Sequence, residues 1–410
     1  MLEYLEIQNA GPADHLRLDL APRLNLLTGD NGLGKSFLLD VAWWILSGIW
    51  PSDIKPEILT GQPIKPRKRD NAKIQGRFLK HTHEWNFNTH LQEWKIKDHR
   101  YYDKSLVVYC RPDGDFCIFD PFRNSDNTAF IFSNNEVWNG QVFQNTHICN
   151  GLIQDWSSWQ RENGEAFSLL NNVLNVISPN KEEILKLGKL TRRLKDSRDI
   201  PTLQLPYGEI PVIHASAGIR RIISLVYILV WVWREHKLAA NLLEFSTARE
   251  VTFFIDELDA HLHPKWQRTI VKSLMEVMKV LAPEVNIQII AATHSPLVMA
   301  SVEPFFDLEQ DAWFDLDLNR ESGQVEVTKR TWYRRGDADA WLKSEAFDQK
   351  SGYAPETELA MTEATAAMGN PETTREQADV IDAKLRRLLG EMDTFWVDWG
   401  YFFEEQGWRK

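Results

Sequence analysis

The chain has 410 residues, 43% of them apolar, and a formal net charge of −11, enough for two or three lobes around a large core. The acidic balance argues against broad attraction to nucleic acid and leaves only a local basic strip as a route to it. Three cysteines, Cys110, Cys117 and Cys149, are odd in number and lack CxxC spacing, which argues against a disulfide or zinc framework and for a reducing, cytoplasmic setting.

In chain order, MLEYLEIQNA carries acids and no positively charged start, so no secretory signal is expected. LEYLEI and HLRLDL alternate as strands, and the apolar run RLNLLTG reads as a third. It enters GDNGLGKS, and FLLDVAWWILSGIW behind that has the composition of a buried helix. Residues 51 to 70, with proline, glycine and the basic KPRKR (65–69), read as loop. Short strands are expected from about Lys73 to Phe130, with Asp113-Gly114 as a hairpin turn in SLVVYCRPDGDFCIFD. Residues 151 to 198 are predicted helical in three stretches: LIQDWSSWQ, FSLLNNVLNVI and KEEILKLGKLTRRLKD.

A second hairpin, PTLQLPYGEIPVIH, leads into HASAGIRR. The helix that follows contains IISLVYILVWVW, too short to span a bilayer and flanked by charge, so a membrane is not an expected partner. Then come the strand VTFFIDE, a helix from Pro264, the strand IQIIAATHS, short strands and a helical tail. No internal repeat or sustained heptad pattern is visible. The expected division is 1–150 (phosphate loop and β-lobe), 151–213 (helical lobe and hairpin), 214–304 (second half of the core) and 305–410 (strands and helical extension).

Two motifs carry chemistry by themselves. GDNGLGKS fits GxxxxGK[ST] between a strand and a helix. Its glycines let N–H groups curl around phosphate oxygens, and the helix N-terminus adds positive potential. Gly29, Asp30, Asn31, Gly32, Leu33, Gly34, Lys35 and Ser36, with Phe37 behind them, are the expected nucleotide-binding residues. Lys35 would reach the β- and γ-phosphates of ATP, and Ser36 would ligate Mg2+. VTFFIDE ends an apolar strand in two carboxylates; beside such a loop, Asp256 would hold the magnesium and Glu257 would polarise the attacking water. His294, after IQIIAAT, reads either as a γ-phosphate contact or as a strand-end histidine bonded to backbone. Ser216 stands at the start of a helix as a natural cap.

The order of these pieces resembles the ABC-class ATPases of the SMC, RecF and OLD type. In that family a GxNGxGKS loop, a signature near LSxG, an apolar strand ending in DE, a D-loop and a switch histidine follow one another. Here ASAG (215–218) keeps the signature serine and second glycine, with Ala215 in place of leucine and IRR in place of the usual continuation. LDAHLHP is similar to the D-loop and puts Asp259 where the family touches the opposite subunit. The resemblance covers most of residues 1 to 300. It implies an α/β P-loop NTPase fold: an ABC-ATPase-type core, an antiparallel β-lobe, a helical signature lobe and a C-terminal helical extension. It also implies a homodimer or higher homo-oligomer in which Ser216, Ala217 and Gly218 of one copy close over ATP held by the other. The alternative is a helix cap with no role in trans. Arg220 and Arg221 either add charge to that interface or are solvated. Gln141 and Gln154 are both candidates for the family's Q-loop.

The stretch between Lys35 and Ser216 holds hairpins and short helices and leaves no room for an SMC arm. Asp315 and Asp317 echo half of a TOPRIM site, as in OLD nucleases, but read as an edge strand and turn. His81 and His83 share a strand face without a third metal ligand. Compact ATPases of this kind, with a tail resembling SEAFDQKSGYAPETELA, are similar to components of bacterial anti-phage operons. There they work beside a separately encoded nuclease or toxin, the expected partner here. In the tail, Leu385, Leu388, Leu389, Met392, Phe395, Trp396, Trp399, Phe402 and Phe403 recur at helical spacing, for packing against the ATPase or for docking a partner. KPRKR and KLTRRLK (189–195) are solvated faces or DNA contacts. A RecF-like DNA-binding repair ATPase and a nucleotide-gated scaffold with little hydrolysis stay open beside the effector-gating reading.

Overall fold

Phe253 and Phe254 are neighbours in the strand Glu250–Ile255 and both are fully buried, yet they belong to different cores. Successive side chains of a strand point to opposite faces, so a strand covered on both sides must be apolar throughout. Leu26 and Leu27, and Ile289 and Ile290, divide between the two cores in the same way. The computed structural model describes residues 1–58, 60–68, 71–94, 105–124, 128–143, 145–180 and 182–408.

These strands belong to an eight-stranded sheet. Its order is Gln324–Arg330, Asp311–Asn319, Leu24–Gly29, Asn286–Ala292, Glu250–Ile255, Leu106–Cys110, Phe116–Phe119, Phe130–Phe132. From Asp311–Asn319 to Leu106–Cys110 the neighbours run parallel, and the outer strands are antiparallel. Cys110 and Ala291 both lie opposite Ile255, so the segments that follow these strands emerge along one end of the sheet. Ligand sites of open α/β sheets form at that end.

The helix Lys35–Ser47 lies in the second core with residues of both the central sheet and a five-stranded antiparallel sheet. The antiparallel sheet runs Ala13–Asp19, Leu2–Ala10, Lys73–Phe78, His81–Asn88, Glu93–Trp94. Burial from two sides explains why this helix is apolar nearly all round, with Trp43 and Trp44 buried. The other face of the central sheet is covered by Leu152–Glu162, Glu165–Ile177, the 26-residue helix Ala217–Leu242 and Ile270–Leu281.

Three expectations are corrected here. KEEILKLGKLTRRLKD is not a helix: Lys186–Leu187 pairs with Thr202–Leu205, and Thr191–Arg193 pairs with Asp196–Ile200. Gly188 breaks the helical run, and its N–H donates to the Thr202 carbonyl at 2.8 Å, so backbone pairing overrides side-chain propensity. The strand with Asp315 and Asp317 is not at an edge; it lies beside the phosphate-loop strand, with Asp315 opposite Thr28. The helix from Pro264 is two pieces, Pro264–Gln267 and Ile270–Leu281.

Residues 342–344 and 348–410 form a second unit. Its helices are Pro355–Met368, Arg375–Leu388 and Phe395–Glu405. The apolar periodicity of the tail closes on that unit's own core, where Leu385, Trp399 and Phe402 meet Ala360, Ala364 and Ala378. Small alanines let large rings sit close. Met392 departs from the pattern and is 96% exposed. Replacing Trp399 by alanine should lower the stability of this unit by about 3–5 kcal/mol. Hydrogen exchange would then accelerate in Pro355–Met368; unchanged protection there would refute the assigned core.

Candidate functional site

The loop after Leu24–Gly29 begins in backbone that only glycine adopts without strain. Gly29 has φ +126°, and a Cβ there would run into the Leu316 carbonyl of the neighbouring strand. Asp30, Asn31 and Gly32 form an exposed rim, and Leu33 and Gly34 lead into the helix at Lys35. Ser36 is exposed at the first turn, while Phe37 packs against the second core. Lys35 is buried and folds back over the loop, its Nζ donating to the carbonyls of Gly29 at 2.7 Å and Asp30 at 2.9 Å. Burial pushes its ammonium down to about 8, with Asp256 the strongest opposing charge.

Asp256 follows the apolar strand and is 1% exposed. Its Oδ1 accepts from the Glu257 N–H at 3.0 Å, but its Oδ2 is buried without a hydrogen-bond partner among the described residues. Burial raises this carboxyl above its ordinary range; the Ser36 hydroxyl lowers it again, and the Glu257 charge adds to the rise. A buried carboxylate oxygen with no donor is costly unless a cation meets it. With Ser36, Lys35 and the helix N-terminus alongside, the donors fit a magnesium-bound nucleoside polyphosphate. Glu257 is exposed and has φ +49°, a left-handed conformation that costs on the order of 1 kcal/mol in a non-glycine residue.

Asp259 is engaged within its own chain: Oδ1 accepts from Thr293 Oγ1 at 2.5 Å and from the His294 N–H at 3.0 Å. His294 is half-buried, and burial, with the Lys35 charge, lowers its basicity. The structure thus brings Lys35, Asp256, Glu257, Asp259 and His294 into one electrostatic neighbourhood. Ser216 and Ala217 are exposed, and Ser216 Oγ accepts from the Ile219 N–H at 3.4 Å as a helix cap. Gly218 is buried against the D-loop, where an added Cβ would lie 2.6 Å from the His261 carbonyl oxygen.

Gln141 spends its amide on the Ile131 carbonyl at 2.9 Å and on Glu136, and Gln154 is exposed. The position after the strand beside Glu250–Ile255 is held instead by Arg111, which sequence reasoning missed. Arg111 is 1% exposed and meets Asp40 at 3.4 Å; Asp40 also accepts from Tyr109 OH at 3.1 Å. Burial pushes the Asp40 carboxyl up to about 6, with the Arg111 charge opposing the shift. Arg221, read from the sequence as an interface charge or a solvated one, is instead half-buried and bonded within its own chain. Its guanidinium donates to the carbonyls of Pro112 at 3.2 Å, Asp256 at 3.4 Å and Glu257 at 3.3 Å, tying the Ala217–Leu242 helix to the carboxylate turn.

Elsewhere, Asp315 is held by Arg330 at 2.8 Å and Thr28 at 2.9 Å, as a buried structural pair. Lys68 pairs with Asp14 at 2.9 Å and Arg192 with Asp199 at 2.5 Å; Arg69 of KPRKR lies outside the described residues. Among the described residues no group of three or more His, Cys, Asp or Glu could hold a metal ion, and no helix is long and apolar enough to cross a membrane.

Residues 165–300 match the family model described as "AAA domain, putative AbiEii toxin, Type IV TA system". The chain is similar to "Retron Vc95 probable ATPase" of Vibrio cholerae serotype O1 biovar El Tor, at 38% identity over 23% of this chain and 16% of that one. It is also similar to "Septu protein PtuA" of Bacillus thuringiensis, at 24% identity over 72% of each chain. The chain therefore spans about a sixth of the retron protein's length. Among solved structures, the SMC head domain from Thermotoga maritima aligns with a TM-score of 0.38 and 12% identity, over 81% of this chain and 99% of that one.

Two measurements check this geometry. Gly218→Ala should lower stability by about 1–3 kcal/mol, because helix and D-loop must separate; an unchanged melting temperature would place the helix elsewhere. For Asp40 the folded-state value lies above the usual range, so the folded chain binds this proton more tightly between about pH 4 and 6. Stability is lost as pH rises through that window. The stability of wild type relative to Asp40→Asn should fall by about 3 kcal/mol from pH 4 to above 6. A flat difference in denaturant unfolding would show Asp40 to be ionised throughout.

Proposed function

We propose that this chain, an ABC-type ATPase of the SMC and RecF class, binds and hydrolyses Mg-ATP as a nucleotide-sandwiched pair and gates a separately encoded effector. The observation that carries the reading is the buried Asp256 Oδ2, without a hydrogen-bond partner among the described residues, near a lysine whose Nζ donates to two loop carbonyls. ATP entering the loop gives Lys35 a better acceptor than two neutral carbonyls, because charge-assisted hydrogen bonds are roughly twice as strong. Ser36 and Asp256 would hold magnesium, which supplies charge neutralisation on the phosphate oxygens. Glu257 stands exposed next to Asp256 and accepts the proton of the attacking water. His294, its proton affinity lowered by burial, donates one hydrogen bond toward the γ-phosphate while Asp259 fixes its backbone.

The exposed Ser216–Ala217 turn supports closure over ATP held by a second copy. The N–H groups at a helix start and the helix dipole favour a phosphate, and among the described residues Ser216 and Ala217 stay exposed. Arg221 would transmit that closure, since the helix that meets the foreign phosphate is hydrogen-bonded to the carbonyls of Asp256 and Glu257. The retron and Septu names of the relatives, and the toxin–antitoxin description of the matching family, support a place in bacterial anti-phage defence. The effector, a nuclease or toxin, would respond to the opening and closing of the pair.

Glu257→Gln should cut phosphate release about a hundredfold or more while ATP still binds, and mass photometry should then show ATP-dependent association. Adding Ser216→Arg should abolish that association. If mass does not change with ATP, HASAG is a helix cap and trans catalysis is wrong.

A further inference from the structure

A cleft of about 500 Å³ has no residue of the 29–37 loop in its lining. It lies between the first turns of Ala217–Leu242, the 110–116 hairpin and the helices Asn134–Asn139 and Leu152–Glu162. Its lining divides by chemistry. Phe116, Trp138, Ile153 and Ile213 give it an apolar side, and Arg198, Arg220 and Arg221 outnumber Asp113 on its polar side.

Two of those arginines are already committed. Arg198 is bonded to Asn139 at 2.8 Å and to Asp196 at 2.8 Å, and Arg221 is bonded to backbone carbonyls. Arg220 is exposed, and its guanidinium has no partner among the described residues. One helical turn further in, Ser224 lines the same cleft at 4% exposure, and its Oγ is buried with no hydrogen-bond partner among the described residues. A buried hydroxyl without a partner costs free energy that a ligand atom would recover. Residues 220 and 224 are four apart on a helix and therefore share a face.

We propose that this cleft is a second ligand site and that it takes a nucleoside phosphate. Arg220 receives the phosphate, Trp138 and its apolar neighbours meet the base, and a polar atom of the ligand completes Ser224. Inorganic phosphate alone would leave the apolar side empty, and a purely apolar ligand would strand the arginine. The volume falls in the range of small-molecule sites. A free mononucleotide and the 5′-phosphorylated end of a single strand share this chemistry. Occupancy would bear on the first site, because Arg221 lines the cleft and also holds the Asp256 and Glu257 carbonyls.

The test uses the full chain with Lys35→Ala, which silences the phosphate loop. AMP and a short 5′-phosphorylated oligothymidylate are each titrated by calorimetry without magnesium. One of them should bind, and which one identifies the source. Arg220→Glu, at an exposed position, and Ser224→Val should each weaken that binding about tenfold or more, with the melting temperature of Arg220→Glu unchanged. Orthophosphate should fail to compete at concentrations where AMP competes. The proposal is overturned if neither probe binds, if both variants bind as before, or if orthophosphate competes as well as AMP.

Discussion

A carboxylate buried at the end of an apolar strand is the constraint around which the rest of the molecule is arranged. Asp256 is 1% exposed, and one of its oxygens has no donor. In a protein interior such a group is unfavourable by itself. The surroundings offset part of that cost: the Glu257 N–H on the other oxygen, the Ser36 hydroxyl, and the Lys35 ammonium nearby. What they leave unmet is the second carboxylate oxygen, which has no hydrogen-bond partner among the described residues.

Holding that carboxylate in place takes both layers of the fold. The five parallel strands set their ends side by side, and the two cores clamp the sheet from either face. The Lys35–Ser47 helix is locked between two sheets, so its N-terminus cannot drift from the loop it shapes. Beneath it, Asp40, Tyr109 and Arg111 join that helix to the strand beside Glu250–Ile255. Arg221 makes the corresponding link from the far side, joining the Ala217–Leu242 helix to the turn that carries Glu257. A shift of that helix therefore pulls on backbone already held in a left-handed conformation. Interfaces packed in this way respond in steps rather than by smooth deformation.

The same helix serves several contacts along its first two turns. Ser216 and Ala217 face solvent, Gly218 meets the D-loop, Arg220 and Ser224 face the cleft, and Arg221 reaches the carboxylate turn. Gly218 shows that a glycine in this turn can be required for packing within one chain. Any side chain there would collide with the His261 carbonyl.

Features that depend on local chemistry were legible in the residues alone. A glycine-rich turn between an apolar strand and a helix can be recognised because its φ angles and N–H groups are properties of that segment. The paired acids after VTFFI were legible for a similar reason: an unbroken apolar run implies burial on both faces, and charge at its end then calls for an explanation. Features that depend on partners far apart in sequence were not. Gly188 turned a helix-forming stretch into strands by pairing with residue 202, and Asp315 became interior because its strand inserts beside Leu24–Gly29. The tail's periodicity was correctly helical, but its target, a core of its own, was set by alanines on another helix. Arg111 drew no reading, and Arg221 was left as an interface or solvated charge, because a guanidinium's role is fixed by which carbonyl or carboxylate lies within about 3 Å. The sequence by itself determined which segments could bind phosphate and which strands had to be buried; only the tertiary structure decided which side chains face them, because those distances are set by packing between elements and not by order along the chain.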